Sequence, residues 1–467
     1  MRTQTLRPFC SNKAGSNTNM HLFNILGDLQ VTIEITRNPF NLPPDTLFRM
    51  AARINKKRSF LFVSKILGKH LAVNPNVSLL SGAALGVLYQ EHVGGLIPYS
   101  IEEIIRAFED PEVASDIYNK VKSNPLPIVE PTLFLGFAET ATALGHSMFD
   151  IFLGPTKFLH TTRDRVMDLN PAICFEEEHS HATDHRCYAL DQQFLCGKDS
   201  VVLVDDEITT GKTALNIIRE LQHKHPRSNY VVASLLDWRS DNDIQLFNEV
   251  ERELGITITC LSLLQGRIMV TGGPVGEKHT ALPLSLPAHA SQLEQYFVGN
   301  FFDLLPLQSE NSLEEQNRLP YLEWTGRFGM RGQDTVKLDC QLQRCSEFLQ
   351  SKRRGTRTLC MGSGEFMYIP MRIAAGMGEG VLYQSSTRSP IHPHDGAEYA
   401  IYHAFPYASP DDASVTNFFY NVTGNVYDEI FVFVERTTDT KQLASLIEAL
   451  KRTSVPLIHI VHFTKYE

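Results

Sequence analysis

The sequence predicts an α/β protein: a parallel, doubly wound sheet followed by a second α/β unit. Three observations carry that expectation. Short, fully apolar runs such as Val201-Val202-Leu203-Val204 alternate with amphipathic helical stretches, as they do in sheets covered by helices on both faces. One of those runs ends in two acids and a threonine–glycine turn. From about Arg327 the same alternation starts again. A chain of 467 residues, 43% hydrophobic and 21% charged, can bury several domains' worth of core and is not a largely disordered chain.

The elements are expected in this order. Residues 1–30 read as a tail whose first nineteen residues are polar, with Met20 as an alternative start. Val31 to Ile35 alternates with period two and reads as a strand. Pro39, Pro43 and Pro44 mark a turn, after which Asp45 caps a helix over Thr46 to Asn55. Ser59 to Ser64 is strand-like, and Ala83–Glu91 and Ile101–Phe108 are helical. Pro131–Leu135 is a strand leading through Gly136 into a helix over Thr140–Asp150. Lys157–His160 is a strand ending in Thr161-Thr162-Arg163. Val201–Val204 precedes a helix over Thr213–His223, and Tyr230–Leu236 and Ile256–Leu264 complete the set. Residues 31–270 thus form the first domain. Residues 271–325, rich in Gly and Pro, are expected to connect it, with one helix, to a second domain over 326–467.

The segment from Val201 to Thr213 carries the chemistry. A buried strand delivers Asp205 and Asp206 to a carboxyl edge, where open α/β sheets bind ligands. Gly211 permits a tight turn. The hydroxyls of Thr209, Thr210 and Thr213, with backbone N–H groups at the helix start, suit a phosphate monoester. The adjacent carboxylates repel phosphate and suit ribose hydroxyls or Mg²⁺. Gly211-Lys212-Thr213 is not a nucleoside-triphosphate loop, because Asp206 stands where that loop needs its first glycine. The plain alternative is a polar βα turn, which leaves two acids at a buried strand end unexplained.

This order of apolar strand, two acids, Thr-Thr, Gly and Thr resembles the sugar-phosphate loop of the type I phosphoribosyltransferases. Four further stretches resemble the phosphoribosyltransferase-like family fused to a TRSP domain, known chiefly from bacterial gene clusters related to tellurium resistance and stress response. They are Arg58 to His70, Leu135 to Gly145, Glu177 to Ala182, and the literal Thr387-Arg388-Ser389-Pro390. The resemblance covers most of the chain from about Val31 onward. It implies the type I phosphoribosyltransferase fold with a hood, and transfer of ribose 5-phosphate from phosphoribosyl pyrophosphate to a base-like acceptor with Mg²⁺. Asp205 and Asp206 would hold the ribose hydroxyls, and through the substrate the Mg²⁺. Thr209, Thr210, Gly211, Lys212 and Thr213 would hold the 5′-phosphate.

The leaving pyrophosphate needs its own loop, and Gly136-Phe137-Ala138-Glu139-Thr140 is the candidate, with a capping segment as the alternative. Glu139 departs from the usual Arg, Lys or Gly of such loops and would act through Mg²⁺. Arg163 follows a strand on the same edge and suits a bidentate phosphate clamp or a surface ion pair. His179 and His181 lie in a histidine-rich stretch that reads as a catalytic lid donating to pyrophosphate; a solvated loop and a zinc site shared with His185, Cys174 and Cys187 stay open, although the spacing matches no strong zinc signature. Lys65 and Lys69, in a basic run, are secondary phosphate contacts or a solvated face. A displacement at C1′ would build positive charge on the sugar beside Asp205 and Asp206.

The second unit reads as a degenerate copy. Gly362 corresponds to Gly136 and Arg388 to Arg163, with spacings of 26 and 27 residues. Glu435 falls opposite Asp206, but Val434 opposes Asp205 and Thr440 opposes Gly211. Gly362, Gly364, Glu365, Thr387, Arg388, Ser389 and His392 are its candidate ligand groups. A chance likeness of two βα patterns is the alternative. The rival function is a binding or regulatory protein that has lost transfer, and a third reading runs the reaction backwards.

A net charge of -10 argues against binding driven by charge to nucleic acid or an anionic membrane, and no apolar run spans a bilayer. Eight scattered cysteines without a C-x-x-C fit a reduced cytoplasmic protein. A homodimer is compatible with all of this.

Overall fold

The computed structural model describes residues 19–55, 58–176, 184–273, 291–396, 398–437 and 441–464. Its first sheet has eight strands, in the order Met20–Leu26, Leu29–Arg37, Thr257–Thr271, Asn229–Asp237, Ser200–Ile208, Thr132–Gly136, Thr156–His160 and Met330–Arg331. The five from Thr257 to Thr156 in that order run parallel, and the flanking pairings, to Leu29–Arg37 and to Met330–Arg331, are antiparallel. The apolar runs Leu133–Leu135 and Val201–Val204 are fully buried in its centre, as expected of strands covered on both faces.

Two helical expectations change. Pro44–Leu47 makes one turn, and Phe48–Ala52 is then a strand paired antiparallel with Phe60–Ser64, not the continuation of a helix to Asn55. Phe48, Met50, Ala51 and Ala52 tolerate either state, and pairing with a neighbouring apolar strand outweighs the weak helical preference. The helix expected over Ala83–Glu91 begins at Pro75, where Asn74 caps it, and runs to His92. Residues Pro75 to Gln90 are all buried, so its first half has no polar face to betray a helical period. Between Ser291 and Thr325 the described residues contain no α-helix. They give 3-10 turns, short strands and the strand Gln292–Phe297.

That strand opens a second, wholly parallel sheet of five: Gln292–Phe297, Leu457–His462, Glu429–Val434, Thr358–Gly362 and Val381–Ser385. Its last four strands repeat the order and direction of Asn229, Ser200, Thr132 and Thr156 in the first sheet. The likeness reaches single hydrogen bonds. Thr161 N donates to Gly136 O at 2.9 Å, and Ser386 N donates to Gly362 O at 3.0 Å. Asp164 N donates to Thr162 Oγ1 at 3.1 Å, and Ser389 N to Thr387 Oγ1 at 3.2 Å. The copy inferred from spacing is therefore a copy of topology.

The two units pack closely. The His146 ring stacks on Tyr368 with centroids 3.6 Å apart. Arg372 pairs with the buried Asp150 at 2.7 Å and with Asp339. Gly68 sits against Tyr383, where a Cβ would come within 2.7 Å of the ring. His392 N donates to Ala52 O, stitching the second unit to the Phe48–Ala52 hairpin.

Candidate functional site

The strand Ser200–Ile208 carries Asp205 and Asp206 to the carboxyl edge, both half-buried. Asp206 N donates to Asp205 Oδ1 at 2.9 Å. Burial, reinforced by the neighbouring Asp206, pushes the Asp205 carboxyl well above the usual carboxylate range. Lys69 Nζ lies 3.7 Å from Asp206 Oδ2. Arg58, the first residue of the family-like stretch Arg58 to His70, pairs with Glu207 two positions after Asp205. Its ring contacts with Phe60 and Phe62 hold it over this edge.

The turn then closes onto the helix Lys212–Lys224. Gly211 is its N-cap at φ 73°, in the left-handed region, and a Cβ there would come within 2.5 Å of the Phe247 ring. Both facts require glycine. Gly211 has no side chain to cap the helix, and Lys212 N donates to Thr210 Oγ1 over a long 3.4 Å. The first-turn N–H groups of this helix, with Thr209, Thr210 and Thr213 around them, make an anion cradle beside the two acids. Asp205, Asp206, Thr209–Thr213 and Lys69 are thus gathered at one place. Lys65 is not: its Nζ donates to Asp45 O at 2.5 Å, on an exposed face.

The neighbouring strand ends in Gly136. Here the backbone is committed to the fold: Phe137 N donates to Val204 O at 3.1 Å and Ala138 N to Thr161 Oγ1 at 2.8 Å. Those two amides are already paired. Gly136 packs against Gly145, where a Cβ would come within 3.0 Å of the Gly136 Cα, which brings the helix Ala141–Phe149 close to the strand. Thr140 is buried with no hydrogen-bond partner for its hydroxyl, among the described residues.

Glu139 turns toward the second unit. Its Oε2 lies 3.4 Å from both Thr387 Oγ1 and Arg388 N. Glu365 does the reciprocal: it accepts from Thr162 Oγ1 at 2.6 Å and from Arg163 N at 2.8 Å. Both glutamates stand three residues after a strand-end glycine, Gly136 and Gly362. Each unit's loop thereby binds the Thr-Arg turn of the other, a relationship that the sequence reading, taking each loop alone, missed. The shared Gly-x-x-Glu spacing was its only sequence signal. Gly362, Gly364, Glu365, Thr387, Arg388 and Ser389 are brought together at this junction. His392 is not; it lies buried at the hairpin of the first unit. Glu435 is neutralised by Arg327, 2.9 Å away, so it does not offer a free carboxylate as Asp206 does.

Among the described residues no three His, Cys, Asp or Glu side chains gather around a common point suited to a metal ion. His179 and His181 lie outside the described residues, as does Thr440. The excess of carboxylate over cation at Asp205 and Asp206 fits a divalent ion held together with a ligand.

Residues 47–267 match a family described as phosphoribosyl transferase, and residues 324–450 match the TRSP domain that lies C-terminal to it. No curated protein matches the chain. Solved structures similar in part include adenine phosphoribosyl transferase from Trypanosoma brucei, in complex with AMP, pyrophosphate and ribose-5-phosphate, at 12% identity, covering 52% of this chain and 87% of that one with a TM-score of 0.29. Adenine phosphoribosyltransferase from Leishmania tarentolae matches at 15% identity, 47% and 84% coverage and a TM-score of 0.25. A hypoxanthine phosphoribosyltransferase from Staphylococcus aureus matches at 11%, 37% and 69%, with a TM-score of 0.19. No helix among the described residues is long and apolar enough to cross a membrane.

Proposed function

We propose, for a chain that carries a phosphoribosyl transferase domain over residues 47–267 and a TRSP domain over residues 324–450, that it transfers ribose 5-phosphate from phosphoribosyl pyrophosphate to a base-like acceptor. The observation that carries this reading is the edge where Asp205 and Asp206 stand beside the uncapped helix start at Gly211, with Lys69 at 3.7 Å. A pentose phosphate presents the matching pattern: vicinal hydroxyls that donate to carboxylates, and a terminal dianion that accepts from N–H and hydroxyl groups.

In that reading Thr209 to Thr213 fix the 5′-phosphate and Asp205 and Asp206 fix the sugar. Held there, the carboxylates face the ring that becomes positively charged as the bond at C1′ breaks, and they stabilise that charge. Mg²⁺, when bound, would neutralise the departing pyrophosphate. Asp205 and Asp206 are the residues that would hold it, through the substrate. Lys69 supports the leaving group electrostatically, and Arg163 and Arg388 bracket the Gly136–Thr140 loop from the two units. Phe62, Leu67, Leu235 and Leu236 line an apolar gap of about 20 Å³ next to Asp206 and Glu207, too small for a planar acceptor. His179 and His181 retain their proposed place as donors to pyrophosphate.

Glu139 favours a second reading. A buried carboxylate in the loop proposed for pyrophosphate opposes an anion, and a chain that binds phosphoribosyl pyrophosphate without transferring it would tolerate this better. The test is pyrophosphate release by purified protein with phosphoribosyl pyrophosphate, Mg²⁺ and a panel of purines, pyrimidines and related bases. Release that depends on one acceptor and disappears in Asp205→Asn/Asp206→Asn is expected. Binding without release with any acceptor favours the regulatory reading, and neither binding nor release overturns both.

A further inference from the structure

A cavity of about 530 Å³ opens at the carboxyl ends of the second sheet, between the two units and away from Asp205. Most of its charged groups are answered inside the protein. Arg327 pairs with Glu435 at 2.9 Å and Arg165 with Glu310 at 2.7 Å. Arg436 lies 3.6 Å from the Tyr321 ring centroid and donates to Ser309 Oγ and to the carbonyls of Leu319 and Asn317.

Two lining guanidinium groups are only loosely answered. Arg163 of the first unit and Arg388 of the second approach the same oxygen, Glu139 Oε1, at 3.8 and 3.5 Å. That oxygen accepts no hydrogen bond from the described residues. Glu365, which accepts from Arg163 N, is the second carboxylate at this corner and balances the charge, but the two guanidinium groups keep unused N–H donors that can turn to a ligand. Elsewhere on the lining is Asn417, 3% exposed, whose Oδ1 has no hydrogen-bond partner among the described residues. A buried amide oxygen left unpaired costs about 1–3 kcal/mol, which a donor on a ligand would recover.

We infer that this cavity is a second binding site, for a phosphorylated sugar. The phosphate meets Arg163 and Arg388, and a sugar hydroxyl donates to Asn417 Oδ1. The cavity is large enough for such a molecule, and its rim of serine, asparagine and glutamine side chains suits a polyol. The inference shares Arg163 and Arg388 with the loop proposed for pyrophosphate, but it uses neither Asp205, Asp206 nor the Gly211 turn and can fail while the activity proposed for the first unit stands. It gives the second unit a role that its lost acidic pair does not suggest: a site spanning both units, in which an arginine from each reads one ligand.

The test is calorimetric titration of the full chain carrying Asp205→Asn/Asp206→Asn with Thr209→Ala/Thr210→Ala/Thr213→Ala, which removes the side-chain contacts of the first site to both sugar and phosphate, with ribose 5-phosphate, ribose and inorganic phosphate in parallel. Ribose 5-phosphate is expected to bind once per chain, with ribose and phosphate each weaker by about tenfold or more. In the same background Arg388→Gln and Asn417→Leu should each weaken ribose 5-phosphate by about tenfold or more, the loss of one charge-assisted contact or of one acceptor for a sugar hydroxyl. Arg388 is partly exposed, so Arg388→Gln carries the test if circular dichroism shows Asn417→Leu to be misfolded. No heat with ribose 5-phosphate, unchanged affinity in a folded Arg388→Gln chain, or equal affinity for inorganic phosphate each overturns the inference.

Discussion

Glu365 accepts a hydrogen bond of 2.6 Å from Thr162 Oγ1 across the boundary between the two units, joining residues 203 positions apart in the chain. The same carboxylate takes the N–H of Arg163 at 2.8 Å. Thr162 is fully buried, so this hydroxyl has no water to turn to. Glu365→Ala leaves a buried hydroxyl and an amide without their acceptor. It should cost about 2 kcal/mol in urea unfolding, since each bond to a charged group is worth about 1.5–3 kcal/mol and part is recovered by relaxation. Glu139→Ala, which breaks contacts of 3.4 Å, should cost less. Equal losses would show that the two loops are not bound as unequally as their distances state.

This junction also marks how far the sequence could be read. The strands of the first sheet were legible because four-residue apolar runs such as Val201–Val204 stand between polar turns, and the ligand edge was legible because Asp205, Asp206 and Gly211 are contiguous. The strand Phe48–Ala52 was not, because its residues suit a helix equally and only the partner Phe60–Ser64 decides. The all-buried helix from Pro75 lacked a polar face to fix its start. The second copy showed itself through the spacing of Gly362 and Arg388. That Glu139 and Glu365 exchange partners was invisible, because it depends on two distant loops meeting in space.

Asp205 makes the proposed site a liability when empty. Its folded pKa is raised by burial and by Asp206, while the unfolded chain carries an aspartate at about 4. The contribution of this group to stability is fully present below about pH 4 and is lost as pH rises through the folded value. Asp205→Asn removes that loss. The ligand-free variant should melt higher than the parent at about pH 8 and alike at about pH 4. An unchanged melting temperature at the higher pH would contradict the assigned burial of this carboxyl.

Asp150 titrates in the opposite sense. Burial works against its ionisation, but Lys122 at 2.9 Å and Arg372 at 2.7 Å outweigh it and hold its carboxyl below the usual range. The stability it supplies is present above the unfolded value of about 4 and is lost as pH falls through the folded one. Arg372→Met removes the partner from the second unit and should move the acid-unfolding midpoint to higher pH, with a loss of about 3 kcal/mol near neutrality. Unchanged acid unfolding would mean that Lys122 alone carries the pair.

The pairing of Arg327 with Glu435 takes up the residue of the second unit that corresponds to Asp206. Glu435 stands where Asp206 stands in the first, yet it is bound by Arg327 Nη1 at 3.1 and 2.9 Å and lies near Leu322 N at 3.3 Å. Both side chains are more than nine-tenths buried. Removing one partner strands the other charge without solvent, so Arg327→Met should cost about 3–5 kcal/mol. Adding Glu435→Gln to that variant keeps the acceptor for Leu322 N and withdraws the stranded charge. It should recover about 2 kcal/mol, read as a coupling energy in a double-mutant cycle by urea unfolding. Additive losses would mean that the two groups are neighbours without being partners, and Glu435 would then remain open to a ligand as Asp206 is.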